Sequence, residues 1–198
     1  VEIHRQMGAE LGLSKKLIKK SLYHAIERQR QFVADMHQQG GKILRKLDSA
    51  EPLIVVTGRP YNLYDDRLNL RLGQNLARLG IAALPMDFIN SGAVDLVEFP
   101  AMFWGLGAQI LKTAKIVAAN SNYFGLHLTN FGCGADSFVE HFYKSIMGDK
   151  AYLILELDEH SAAAGVMTRL EAYKNVIENG MQASQLTTRY QKIHSQKR

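Results

Sequence analysis

The chain holds one cysteine, Cys133, set within Asn130-Phe131-Gly132-Cys133-Gly134-Ala135-Asp136-Ser137-Phe138. An apolar run from Leu126 to Thr129 reads as a buried strand entering this stretch. Ser137-Phe138-Val139-Glu140 has the spacing of a capping box, so a helix is expected just after Ser137. Cys133 then lies in a strand-to-helix turn, with Gly132 and Gly134 free to take positive φ on either side. The positive end of the helix dipole favours thiolate over thiol there. A thiolate can ligate a metal or attack an electrophile. An ordinary glycine turn around a buried, inert cysteine accounts for the same local pattern.

Three more polar clusters follow apolar runs. Thr57-Gly58-Arg59-Pro60-Tyr61-Asn62 carries Arg59, whose planar fork suits a carboxylate or phosphate; a solvated surface arginine is the plain alternative. Met86-Asp87 and Asp158-Glu159-His160-Ser161 are the others. Asp158 and Glu159 could serve as acid and base, or simply as helix-start charge. Cys133 with His160 or His141 would be the nucleophile and base of a thiol hydrolase, although the turn is not a GxSxG elbow. Cys133, His160, Asp158 and another histidine could hold zinc, without the paired spacing such sites use. A [4Fe–4S] cluster takes about four thiolates. If Cys133 is one of them, the rest come from elsewhere in a parent chain or from another subunit. Neither GxGxxG nor a Walker A motif occurs, so no ATP site of either kind is expected in this chain. His4, His24, His37 and His194 lie in flanking regions without chemical company, and Phe103 and Trp104 read as core.

The elements that must position these residues alternate. Strands are expected over 53–56, 81–84, 126–129 and 151–157. Between and after them come helices over about 67–79, most of 93–120, 138–147 and 162–177. Gly105-Leu106-Gly107-Ala108 marks a place where two backbones approach closely. This alternation implies an α/β fold: a Rossmann-like three-layer domain with a mostly parallel four-stranded sheet. Right-handed crossovers bring the polar clusters to one edge, where such sheets bind ligands. Ahead of the sheet, residues 14–38 form an amphipathic helix, with Gly40-Gly41 expected to stop it. The expected organisation is an N-terminal helical arm or linker over 1–48, an α/β domain over 49–179 and a polar tail or linker over 180–198.

Charge follows this division. Residues 1–47 carry 10 Lys/Arg against 4 Asp/Glu, and residues 48–179 carry 10 against 15. The basic arm lacks the interleaved aromatics of a nucleic-acid face, so Lys15, Lys16, Lys19 and Lys20 read as a solvated helix side. No apolar stretch approaches the roughly 20 residues that span a bilayer. One cysteine excludes an internal disulfide and suits a reducing cytoplasm. The start, Val1-Glu2-Ile3, is neither a methionine start nor a signal peptide, and reads as part of a longer chain.

Gly58-Arg59-Pro60-Tyr61-Asn62, Leu84-Pro85-Met86-Asp87-Phe88, the Asn130–Phe138 motif and Leu157-Asp158-Glu159-His160-Ser161 occur in this order. In this the chain resembles the large CoA-substrate-specific enzyme activases, in the region related to 2-hydroxyacyl-CoA dehydratase subunits (2-hydroxyglutaryl-CoA dehydratase, benzoyl-CoA reductase). The resemblance covers about Gly41 to Asn179. It implies a Rossmann-like domain of a multidomain, oxygen-sensitive, cytoplasmic protein. Relatives bind [4Fe–4S] clusters through cysteines and take single electrons from an ATP-hydrolysing activase, for radical dehydration or reduction of an acyl-CoA thioester. By the same resemblance Cys133 is the candidate cluster ligand. Arg59 and Asn62 are candidate substrate or cluster-pocket contacts, and Asp158, Glu159 and His160 line the pocket, with Asp87 and Asn130 on the same edge. The chain departs from the pattern at Ala135, where relatives often have proline, and near Ala163, where they have an acid. Activase ATP motifs and further cysteines are missing, so the ATPase is expected elsewhere in the parent or in a partner subunit. The chain alone is expected neither to hold a cluster nor to be active; a dimer is compatible with it. The competing reading is a non-catalytic α/β domain binding a small anion or a partner protein at the strand edge.

Overall fold

Leu53–Thr57 forms the central strand β1 because it can bury both faces: every residue of Leu-Ile-Val-Val-Thr is buried. In the computed structural model, which describes residues 2–48, 51–130 and 132–195, it is joined by β2 (Ala82–Pro85), β3 (Tyr123–Asn130) and β4 (Tyr152–Leu157). All pairings are parallel, in the order β2-β1-β3-β4. Alternate side chains of each strand serve opposite faces. Ile54, Val56, Leu126, Leu128 and Leu155 pack on α4 (Leu72–Arg78) and α7 (Ala163–Ser195) through Leu76, Val166, Leu170 and Tyr173. Leu53, Val55 and Leu84 pack on α5 (Gly105–Ala119) and α6 (Gly134–Met147) through Ile110, Leu111, Val139 and Tyr143. The three layers expected from the alternation are therefore present, and the sheet is wholly parallel.

Several boundaries differ from expectation, each for a local reason. The arm is a hairpin of α1 (Glu2–Glu10) and α2 (Lys15–Leu44), and α2 runs straight through Gly40-Gly41. Gly40 is a point of close approach rather than a stop: a Cβ there would collide with the Phe88 carbonyl oxygen and lie 2.8 Å from its carbon. The C-terminal end of α2 thus rests on the 3-10 turn Met86–Phe88, while Leu17, Tyr23 and Phe32 farther along stay exposed.

The helix expected over 67–79 is shortened to α4, and a separate short helix not expected from the sequence, α3 (Pro60–Tyr64), precedes it, with Leu70 and Arg71 in the left-handed region between them. Asp65 accepts the amides of Arg67 and Leu68, and Asn69 bridges the Asn62 carbonyl and the Leu72 amide. These side chains supply the local partners a continuous helix would have needed. Upstream of α5, residues 89–104 are irregular, broken by Gly92 and Pro100. At Gly107 the close neighbour is the Trp104 ring, 2.7 Å from a notional Cβ, and not a second backbone. Phe103, expected in the core, is 98% exposed. The backbone of α7 continues past Gly180 to Ser195, where a polar tail was expected. Residues 49–50 at the expected domain boundary, Phe131 of the cysteine turn and 196–198 lie outside the described residues.

Candidate functional site

The strand order places β2 to one side of β1 and β3 to the other. The direction of winding therefore reverses, and the ends of β1 and β3 part to leave the crevice where open parallel sheets bind ligands. Thr57 pairs with His127 in register there. The chain leaves β1 at Gly58, which lets it cross the end of β3: a Cβ would lie 2.8 Å from the Leu128 carbonyl oxygen. β3 leaves at Asn130 and turns through Gly132 at φ 55°. Two ties to β4 hold this turn. The Gly132 amide donates to Glu156 Oε1 at 2.6 Å, and Asn130 Nδ2 donates to the Leu157 carbonyl at 3.1 Å. Helix α6 starts at Gly134 with Cys133 as its N-cap, not after Ser137, because the Ser137 amide already bonds the Cys133 carbonyl at 2.8 Å. Gly134 is the first helical residue, and positive φ is confined to Gly132 of that pair.

Arg59 spans the crevice. Its Nη2 donates to Cys133 Sγ at 2.8 Å and its Nε to Asp136 Oδ1 at 3.1 Å, and it lies over the Trp104 ring at 5.5 Å. Asp136 is 1% exposed, and its second oxygen accepts from Thr129 Oγ1 at 3.2 Å. Burial works against the Arg59 charge, but the hydrogen bond and charge of Asp136 outweigh it, so its pKa stands above the ordinary value. The thiol of Cys133, partly exposed, is held below its ordinary pKa first by the amides of Asp136 and Ala135 and then by Arg59. The result is a sulfur favoured as thiolate, with a cation fixed beside it.

Beneath this cluster runs a second buried polar group. Thr57 Oγ1 and His127 Nδ1 are 3.0 Å apart, and the His127 ring stacks on Tyr143 at 5.3 Å between centroids. Burial lowers the His127 pKa to about 4, against a smaller upward pull from Asp136, so the imidazole is neutral. Among the described residues its Nε2 has no hydrogen-bond partner.

None of the other expected residues is hydrogen-bonded to the sulfur. Asn62 is fully buried, and among the described residues neither of its side-chain polar atoms has a partner. Asn130 shapes the cysteine turn, and its Oδ1 has no partner among the described residues. Asp87 accepts from Tyr64 Oη at 2.7 Å and Gln109 Nε2 at 2.8 Å at the far side of β1. The Tyr64 hydroxyl is pushed above its ordinary pKa, first by burial and then by Asp87. Asp158 caps its own turn, accepting from the His160 amide and Ser161 Oγ, each at 2.9 Å. The Ser161 bond is the main reason its pKa is low. Glu159 and His160 face each other at 3.7 Å on the surface. Neither His160 nor His141 is hydrogen-bonded to Cys133, so the base of a thiol hydrolase is not in place, and His141 instead meets the Phe142 ring. Among the described residues no group of three or more His, Cys, Asp and Glu could hold a metal ion. Sequence reasoning missed Asp136, Thr129 and the role of Trp104. The usable signal for the first two was parity: Thr129 alternates onto the α6 face, and Asp136 lies in the first turn above it.

Residues 1–89 match the family model described as the CoA enzyme activase uncharacterised domain (DUF2229). Over those first 89 residues the chain is similar to this CoA enzyme activase domain. No curated protein and no solved structure matches it. The matched span takes in the arm, β1, Arg59, Asn62 and Asp87, and ends before α5 and Cys133. The resemblance read from the motifs began at about Gly41, so the family match adds the arm to it. No helix among the described residues is long and apolar enough to cross a membrane.

Proposed function

We propose that this chain contributes Cys133 as one thiolate ligand of a [4Fe–4S] cluster, with the remaining ligands supplied from outside these 198 residues or by a partner subunit. The observation that carries the reading is the Cys133 sulfur itself. It is partly exposed at the switch point of a parallel sheet and bonded to Arg59 Nη2 at 2.8 Å. The donor set fits one corner of a shared cluster: one sulfur favoured as thiolate, at the mouth of a crevice and not enclosed in the core. When bound, the cluster would supply single-electron transfer in an ATP-driven acyl-CoA dehydratase or reductase system. Arg59 neutralises negative charge at the sulfur, Asp136 and Thr129 hold the guanidinium in place, and Trp104 covers its face.

Anaerobic reconstitution of the full-length parent with iron and sulfide tests this. The expected result is a brown protein with broad visible absorption, and a lower iron content in Cys133→Ser. Equal iron in the serine variant removes Cys133 as a ligand. It then favours the non-catalytic reading, in which Arg59 receives a small anion at the same edge.

A further inference from the structure

Past β2, on the same side of the sheet, a cleft of about 820 Å³ opens between the arm and the α/β domain. That volume lies within the roughly 300–1,000 Å³ of small-molecule sites. Phe32, Val33 and Met36 of α2 form one wall, and Tyr64 and Phe88 contribute to the other. Asp87 lines the cleft with its two oxygens each accepting from one neutral donor, Tyr64 and Gln109. Its acidic neighbours on the chain are treated differently: Asp95 and Glu98 both pair with Lys115. Among the described residues Asp87 has no such counter-ion. A carboxylate with neutral partners, beside apolar walls and three aromatic rings, favours a cation whose own body is apolar.

We propose that this cleft binds an organic ammonium ion, with the ammonium on Asp87 and the apolar body along α2. Each Asp87 oxygen keeps a lone pair for the incoming donor. The aromatic side chains attract the cation and shield it from water. His37 also lines the cleft.

The test compares three compounds of one shape on the full chain: 3-phenylpropylammonium, 3-phenylpropanol and 3-phenylpropionate. Affinity is read by calorimetry, and the site is located by NMR shifts. The ammonium should bind at least about tenfold more tightly than the alcohol, and the carboxylate more weakly still. Asp87→Asn should bring the ammonium down to the alcohol's affinity, and Val33→Trp, which fills the cleft, should weaken both. Equal affinity for all three compounds, no binding of the ammonium, or shifts confined to another region would each overturn the proposal. Should Asp87→Asn not fold, the three-compound comparison on the unaltered chain still decides. Cys133 takes no part, so the outcome is independent of the cluster reading.

Discussion

Replacing Asp136 tests whether the Arg59 cluster is a charge pair or only a set of hydrogen bonds. The carboxylate is 1% exposed and accepts from Arg59 Nε at 3.1 Å and Thr129 Oγ1 at 3.2 Å. Asp136→Ala removes both acceptors and leaves a buried threonine hydroxyl and a guanidinium to find other partners. Truncating one partner of a buried pair costs about 3–5 kcal/mol. The Arg59 side chain is 22% exposed and keeps some contact with water, so the lower end applies, about 3 kcal/mol. Asp136→Asn keeps the shape and one acceptor for Nε, and Thr129 can reverse its hydroxyl to accept. It loses only the difference between a charge-assisted and a neutral hydrogen bond, about 1–2 kcal/mol. Arg59→Ala strands a buried carboxylate on Thr129 alone and should cost about 4 kcal/mol. The double variant Arg59→Ala/Asp136→Ala should fall short of the sum of the singles by about 1–3 kcal/mol. Urea unfolding at neutral pH, with the slope unchanged between variants, measures all four. If Asp136→Asn is neutral and the double variant additive, the cluster is an ordinary turn and Arg59 is not held there by charge.

Buried, neutral His127 makes stability depend on pH. Its folded pKa of about 4 lies below the ordinary 6.5, so the unfolded chain binds a proton that the folded one refuses. Stability should be level above about pH 6.5 and fall by about 3 kcal/mol as pH drops to about 4, in the orders of magnitude of linkage; His127→Gln should flatten this window in acid-titrated unfolding. Gly40→Ala should weaken docking of the arm by about 1–3 kcal/mol despite the better helix propensity of alanine, because the obstacle is the Phe88 backbone. Gly41→Ala meets only the movable end of Arg45, 3.4 Å away, and should gain a few tenths to about 1 kcal/mol; hydrogen exchange along α2 separates the two. Cys133 should be alkylated by iodoacetamide with a midpoint below the ordinary thiol value of about 8.5, and Arg59→Ala should raise that midpoint; an unchanged midpoint would show that Arg59 does not bias the sulfur.

The strands were legible because a strand buried on both faces is largely apolar: Leu53–Val56 is so throughout, and Leu126–Leu128 is broken only by His127. Their neighbour order was not, since register and order depend on which face each connection crosses. The helices were legible where periodicity ran long and failed where polar side chains supplied local hydrogen bonds, as Asp65 and Asn69 do between α3 and α4. Gly40 misled for a different reason. A glycine that permits contact with a distant backbone has the same sequence signature as one that ends a helix.

The site divides along the same line. Arg59 and Cys133, 74 positions apart, are reactive types flanked by glycine, and their pairing follows from parallel strands that end together. Asp136 is the member that makes the pairing specific. In the sequence it is an acid between a strand and the helix expected past Ser137, and only the fold turns that carboxylate inward to Arg59. Asp158 has the same sequence character and the opposite fate. It lies past the end of β4, the edge strand of the described sheet, and spends its hydrogen bonds on its own turn. Position relative to the β1–β3 boundary, rather than residue type, decides which of these acids joins the sulfur and which one faces water.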